Sequence, residues 1–170
     1  MISCAQAPEI QDVLETTCRT QQAKLHWVEP LNSNWQLGLP GAIQRSNAAV
    51  ALGALQALSD LGWSLPEAVI QKGFATAHWP GRLQMVQWGQ HKICLDGAHN
   101  PPAAVQLAEE RSQWSDACNG VVWILAIQAH KDAVAMLQTL LQPQDQAWIC
   151  LLYTSPSPRD ATLSRMPSSA

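Results

Sequence analysis

The strongest candidate for chemistry is the segment D-G-A-H-N-P at residues 96–101. It follows a stretch that predicts a strand and opens one that predicts a helix, which is where open α/β sheets bind their ligands. The first turn of such a helix offers free N–H groups and a partial positive charge to an anion. Asp96 could then hold a ribose hydroxyl or a metal, and His99 could contact a phosphate or an acyl intermediate. The alternative is that Asp96 merely caps the turn.

A second candidate is the segment W-P-G-R-L-Q at residues 79–84. Its Pro-Gly pair predicts a turn. Arg82 follows at the exit of this turn, where a guanidinium can bind a phosphate through two parallel hydrogen bonds. Read alone, the segment favours a surface arginine that opens an edge strand.

Two further segments place polar side chains beside predicted elements. Asn47 lies in L-P-G-A-I-Q-R-S-N-A-A, residues 39–49, at the predicted start of a helix, where it could cap the helix or contact a ligand. The segment H-K-D at residues 130–132 follows a predicted strand and is expected at the same sheet edge as Asp96. No segment matches the phosphate-binding loop G-x-x-x-x-G-K-[ST], the nucleophile motif G-x-S-x-G or the zinc motif H-E-x-x-H.

Hydrophobic periodicity predicts alternating helices and strands around these segments. The stretch 47–61 is apolar nearly all round, so it predicts a buried helix, which Gly62 ends. Ser64 could cap the next helix. The predicted helices are 8–23, 47–61, 66–76, 101–112 and 131–141, and the predicted strands are 25–28, 83–88, 91–95, 121–127 and 146–149.

This order of elements predicts an α/β fold with two domains. From strand 91–95 onward it reads β-α-β-α-β, which is typical of a parallel sheet with covering helices. The helical middle and the sheet-forming end predict a division into residues 1–78 and 79–149. Residues 1–28 read as strand, helix and strand, the last unit of a larger sheet whose other edge would be left unpaired. We therefore expect a piece of a longer protein.

Composition excludes several classes of protein. The 170 residues carry 10 Lys+Arg against 13 Asp+Glu, a net charge of −3, whereas nucleic-acid-binding proteins usually carry clustered basic residues. No apolar run approaches the roughly 18 residues that span a bilayer, and no secretory signal opens the chain. The five cysteines are widely spread with no C-x-x-C pair, which argues against a disulfide scaffold or a zinc site. We expect a cytoplasmic protein with no nucleic-acid or membrane partner.

The last 21 residues, 150–170, differ in character from the rest of the chain. They contain the only Tyr and two Ser-Pro pairs but no Gln. Residues 150–160 and 164–170 back-translate, in one frame and in order, to the two ends of an adapter used in sequencing libraries. The segment is therefore predicted to be a non-native, disordered tail, although an ordinary Ser/Pro-rich terminus is the alternative.

Taken in order, the three motifs resemble one enzyme family. L-P-G-x-x-Q-x-x-N-A-A-x-A-L, then W-P-G-R-L-Q, then L-D-G-A-H-N-P-x-A-A are similar to the motifs of the folylpolyglutamate synthase/dihydrofolate synthase family, within the Mur ligase superfamily. Superfamily relatives that build peptidoglycan carry a similar Arg and a D-Y-A-H-type motif. The form D-G-A-H-N-P with P-G-R-L-Q before it favours the folate branch. The resemblance covers residues 1–149.

The resemblance implies a fold and a reaction. Residues 1–78 would end a central ATP-binding domain, and residues 79–149 would begin a Rossmann-like C-terminal domain. The family phosphorylates a folate or dihydropteroate carboxylate with ATP and Mg²⁺, and the amine of L-glutamate then attacks the acyl phosphate. The family's phosphate-binding loop and Mg²⁺ ligands would precede Met1, so no metal ligand is expected here and the fragment alone should be inactive. A monomer is expected.

The resemblance also implies residue roles. Asn47, Arg82 and Asp96 match the family's ATP-contacting residues, with Arg82 at the phosphates, and His99 matches a candidate catalytic histidine. The four side chains are expected to converge on one cleft. Two alternatives are a fragment of a peptidoglycan-type Mur ligase and a non-catalytic α/β binding module, in which Asn47, Arg82 and Asp96 would only pack and cap.

Overall fold

Helices and strands alternate along the chain, as the periodicity predicts. The computed structural model describes residues 1–114 and 120–152. Within these ranges no helix combines the length and the apolar character needed to cross a membrane. The elements in chain order are β1 (Ile2–Cys4), α1 (Pro8–Thr20), β2 (His26–Val28), α2 (Ile43–Asp60), α3 (Glu67–Thr76), β3 (Gln84–Trp88), β4 (His91–Leu95), α4 (Pro101–Arg111), β5 (Val122–Gln128), α5 (Ala133–Leu140) and β6 (Gln146–Leu152).

The chain divides into two compact units, the first being Met1–Gly97 and the second beginning at Ala98. The β3–β4 hairpin therefore belongs to the first unit by compactness. The sequence instead predicts a domain boundary before the hairpin, at residue 79, which would place the hairpin in the second domain. This predicted boundary stays a prediction.

The first unit opens with a parallel β-α-β arrangement. β1 pairs with β2 in parallel, with Ile2 opposite His26, and α1 makes the connection that parallel strands require. Pro8 occupies the first turn of α1, where its missing N–H is not needed. The strand-helix-strand prediction for residues 1–28 is confirmed.

Helix α2 differs from its prediction in two respects. It begins at Ile43, so Asn47 lies in the second turn and cannot cap the helix. Only Ala49 is buried, whereas a helix buried all round was expected. The reason is that α2 packs one face on β1 and β2, where a Cβ on Gly53 would lie 2.9 Å from Ile2 Cγ2. The described residues leave the rest of its apolar surface half-buried or exposed.

The end of α2 is a Schellman motif. The N–H of Gly62 donates to the Ser59 carbonyl (2.9 Å) and that of Trp63 to the Leu58 carbonyl (3.2 Å). Gly62 has a φ of 93°, as predicted for the residue that ends this helix. The predicted cap by Ser64 is wrong, because α3 has Pro66 at its N-cap and no side-chain cap.

Gly62→Ala should lower the free energy of unfolding by about 1 kcal/mol, because an L-residue pays a steric cost at positive φ. A Cβ there would meet no described atom within 4 Å, so crowding adds nothing. Gly73→Ala is the matched control: Gly73 lies inside α3 with equally open space, and alanine should stabilise that position by about 0.5–1 kcal/mol. Urea unfolding of the two variants should show changes of opposite sign in the free energy of unfolding. Changes of the same sign would contradict the left-handed conformation assigned to Gly62.

The hairpin follows the predicted strands closely. β3 and β4 pair antiparallel, with Trp88 opposite His91 and Gln84 opposite Leu95. The two-residue loop uses Gly89, whose φ is 58°, and such loops fix the register of a hairpin. This register carries Leu83, just before β3, to a position beside Asp96, just after β4.

The second unit contains a parallel β5-α5-β6 arrangement, with Ile124 opposite Trp148. It confirms the predicted strand-helix-strand pattern. β6 continues past Ile149, the predicted end of the native strand, to Leu152. The first three residues of the predicted disordered tail, 150–152, therefore pair with β5, because an apolar run can extend an open strand edge. Residues 153–170 of the predicted tail lie outside the described residues.

The core of the second unit forms on one face of β5. Trp123 and Ile127 are buried there, whereas Val122 and Ile124 on the opposite face are 61% and 85% exposed. A strand that is apolar on both faces is typical of a sheet covered on both sides. The helices contribute the other buried apolar side chains of this unit: Ala104, Leu107, Met136 and Leu140.

Candidate functional site

The turn that carries Arg82 is tightly hydrogen-bonded. Gly81 has a φ of 71°, and its N–H donates to Gln84 Oε1 at 2.9 Å. Leu83 has a φ of 44°, which is unusual for a branched aliphatic residue. Arg82 therefore lies between two residues in left-handed conformations, one of which is held by the side chain of Gln84.

Asp96 holds the other side of this turn. Its Oδ2 accepts the N–H of Leu83 at 2.9 Å, at the point where the hairpin ladder ends. Leu83 is not extended, so it does not continue the β3–β4 ladder, and its N–H is bound by the side chain of Asp96 instead of by a backbone carbonyl of the opposite strand. Arg82 and Asp96, which are 14 positions apart, thus belong to one local structure.

The guanidinium of Arg82 lies beside the Asp-Gly turn. A Cβ on Gly97 would be 3.8 Å from Arg82 Nη1 and 3.5 Å from the Gly81 carbonyl oxygen. Arg82 and Asp96 are both exposed. Within the described part of the chain, Arg82 forms no ion pair. An exposed guanidinium on an anchored turn is suited to binding an anion.

Cys94 lies on β4, two residues before Asp96. Its pKa is raised, first by burial and then by the negative charge of Asp96. The thiol therefore stays protonated at neutral pH and is a poor nucleophile. Its role is consistent with packing.

Helix α4 is capped by Asn100 rather than by Asp96. Asn100 Oδ1 accepts the N–H of Ala103 at 2.9 Å, and Pro101 occupies the first turn. Asn100 thus supplies the side-chain cap of α4, and a role for Asp96 beyond holding the turn stays a prediction. An Asn directly before Pro at a helix start could have revealed this cap. His99 is exposed and belongs to the second unit.

Asn47 is positioned by a different element. It lies on α2 with its side chain exposed, and its Nδ2 donates to Gln44 Oε1 at 3.0 Å. The structure thus brings Arg82 and Asp96 together. The convergence of Asn47 and His99 with them stays a prediction.

The segment 130–132 has a structural role in the described contacts. Asp132 Oδ1 accepts the N–H of Ala135 at 3.0 Å and caps α5. Among the described residues, no group of three or more His, Cys, Asp or Glu side chains could hold a metal ion.

Sequence reasoning missed a buried ion pair in the second unit. Arg111 forms two hydrogen bonds with Asp145, from Nη1 at 2.5 Å and from Nη2 at 2.7 Å. Their side chains are 3% and 1% exposed. Asp145 also accepts hydrogen bonds from the N–H groups of Val121 and Gln142 and the indole of Trp123. No local pattern links positions so far apart.

Comparison with known proteins identifies the family. A family profile described as "Dihydrofolate synthetase, C-terminal domain" matches residues 82–155. A probable dihydrofolate synthetase of Schizosaccharomyces pombe is 35% identical over 109 residues, 63% of this chain and 26% of that protein. The dihydrofolate synthase/folylpolyglutamate synthase of Escherichia coli is 33% identical over 125 residues, 73% of this chain and 28% of that protein. The chain thus spans little more than a quarter of either relative.

Solved structures show the same fold. A Mycobacterium tuberculosis folylpolyglutamate synthase, complexed with ADP, superimposes with a TM-score of 0.75 at 23% identity, over 91% of this chain and 39% of that one. A structure described as an FPGS-AMPPCP-folate complex also gives 0.75, at 21% identity, over 96% of this chain and 46% of that one. The family profile and the two curated relatives, together with the P-G-R-L-Q and D-G-A-H-N-P motifs, show that the chain belongs to the folylpolyglutamate synthase/dihydrofolate synthase family.

Proposed function

We propose that the chain is part of an ATP-dependent ligase that joins glutamate to a folate or dihydropteroate carboxylate. The observation that carries this proposal is the Arg82 turn, which Asp96 anchors beside Gly97 in a chain of this family. Curated relatives described as folylpolyglutamate or dihydrofolate synthases support the folate branch over the peptidoglycan branch. In this proposal, residues 1–78 end the ATP-binding domain and residues 79–149 begin a Rossmann-like domain.

The residues present fit the phosphate end of ATP. The exposed guanidinium of Arg82 can form charge-assisted hydrogen bonds with phosphate oxygens. Asn47 and Asp96 would help to hold the nucleotide, with the carboxylate of Asp96 fixing the turn from which Arg82 extends. His99, just before α4, would lie near the reacting groups.

The chemistry requires neutralisation of the phosphate charge. The family reaction transfers the terminal phosphoryl group of ATP to the carboxylate, and the amine of glutamate then displaces phosphate from the acyl phosphate. Arg82 would stabilise the charge of the transferring group, which contributes much of the rate enhancement in such reactions. Mg²⁺, bound by residues outside this chain, would supply further positive charge.

The proposed ligands have support from a similar solved structure. That protein is described as a bifunctional folylpolyglutamate synthase/dihydrofolate synthase with Mn, AMPPNP and L-glutamate bound, and it superimposes with a TM-score of 0.64 at 24% identity. It supports a divalent metal, an adenine nucleotide and glutamate as ligands of the complete enzyme. We also propose that the complete enzyme is a monomer and works in the cytoplasm.

A comparison of the isolated chain with the complete ligase tests this function. The complete protein should release phosphate from ATP only when glutamate and a folate or dihydropteroate are both present. The 170-residue chain should release none, because the phosphate loop and metal ligands of the family are not among its motifs. A complete protein with no glutamate-dependent phosphate release would contradict the proposed function. Turnover by the isolated chain would contradict the proposal that catalysis needs a phosphate loop and metal ligands that this chain lacks.

A further inference from the structure

We propose that Gln84 is a positioning residue for Arg82. Together with Asp96, it would fix the turn so that the guanidinium faces the phosphates of ATP. This inference rests on the proposed function and adds to it a residue that the sequence motifs left without a role.

The hydrogen bonds bracket Arg82 on both sides. Gln84 Oε1 accepts the N–H of Gly81, before Arg82, and Asp96 Oδ2 accepts the N–H of Leu83, after it, each at 2.9 Å. Both acceptors lie on the hairpin or at its end, whose register is fixed by a full antiparallel ladder. The turn is thus tied to a rigid element at two points.

The backbone of the turn needs such support. Leu83 has a φ of 44°, a region that is unfavourable for residues other than Gly, Asn and Asp. Such conformations persist where the surrounding contacts hold them and cluster at ligand sites. If Leu83 relaxed to an extended conformation, the peptide group after Arg82 would rotate and carry the side chain away from Gly97. The side-chain acceptors therefore determine where the guanidinium lies.

Gln84 is suited to this role because it is half-buried at the first position of β3. Its amide oxygen reaches back three residues to Gly81, which closes the turn without adding a charge beside Arg82. The neighbouring glutamine of the same strand, Gln87, also forms one side-chain bond, from Nε2 to the Gly89 carbonyl at 2.8 Å. Gln87 lies at the opposite end of the hairpin, so it provides a matched control.

The experiment is a double-mutant cycle in the complete ligase, with steady-state kinetics for ATP and for glutamate. Gln84→Ala should lower kcat/KM for ATP about fivefold, the usual effect of one lost hydrogen bond, and leave the KM for glutamate unchanged. In an Arg82→Ala background the same substitution should have no further effect, because Gln84 acts through Arg82. Gln87→Ala should leave kcat/KM for ATP unchanged.

The outcomes separate the two proposals. If Arg82→Ala weakens the use of ATP but Gln84→Ala does not, or if its effect is equally large without Arg82, the positioning role is wrong and the proposed function stands. If Arg82→Ala leaves the use of ATP unchanged, the phosphate-binding role fails, and the positioning role fails with it.

Discussion

Arg82→Ala in the complete ligase should lower kcat/KM for ATP about 100-fold, the usual loss when one group that stabilises transition-state charge is removed. We expect this loss because the exposed guanidinium of Arg82 would bind the phosphates of ATP from an anchored turn. In that turn, Nη1 would lie 3.8 Å from a Cβ built on Gly97. The measurement is phosphate release at several ATP concentrations, with glutamate and the pterin substrate saturating.

Arg82→Lys provides a graded comparison. Lysine keeps the charge but loses the forked hydrogen-bonding geometry, so we expect an intermediate loss of about tenfold. Arg19→Ala is the control, since Arg19 is an exposed arginine in the last turn of α1. Equal rates for the Arg82 and Arg19 variants would exclude a phosphate contact by Arg82.

Asp145→Ala should lower the free energy of unfolding by about 3–5 kcal/mol, the usual cost of leaving one member of a buried ion pair without its partner. The substitution removes both hydrogen bonds to the buried Arg111 and those from the indole of Trp123 and two backbone N–H groups. Chemical denaturation of the variant and the unmodified protein measures the difference.

Asp132→Ala is the control for this substitution. Asp132 is an exposed aspartate whose described side-chain bond caps α5. Loss of a helix cap typically costs about 1 kcal/mol. A loss at Asp145 no larger than that at Asp132 would contradict the structural role of the buried pair.

The same pair gives stability a dependence on pH. The hydrogen bond from Arg111, followed by those from Gln142, Val121 and Trp123, holds the pKa of Asp145 well below its usual value, although burial opposes this shift. Because the folded protein favours the charged form, the contribution is complete above about pH 5 and is lost as the pH falls through about 4 and below. Asp145→Asn should flatten this part of the stability profile.

The local elements were largely predictable from the sequence. Period-2 and period-3.6 patterns identified both β-α-β arrangements, and the Gly89 loop identified the hairpin. The two-residue loop also fixes the register, so the pairing of Trp88 with His91 already places Leu83 beside Asp96. The proximity of Arg82 and Asp96 was therefore implicit in the sequence.

Other features depend on contacts that no local pattern records. The start of α2 was placed too late because Ala42, at its N-cap, offers no side-chain cap that would mark the helix start. The Arg111–Asp145 pair joins the end of α4 to the turn before β6. The residues that flank either position in the sequence do not indicate this pairing. The left-handed conformation of Leu83 was unexpected, because leucine rarely adopts it without outside support.

A structure of the complete ligase with a non-hydrolysable ATP analogue and Mg²⁺ would show whether Arg82 contacts the phosphates of ATP. We expect the guanidinium of Arg82 to lie about 3 Å from a phosphate oxygen, with Asn47 and Asp96 lining the same nucleotide and the turn at Leu83 unchanged. A nucleotide bound elsewhere, with Arg82 facing solvent, would contradict it.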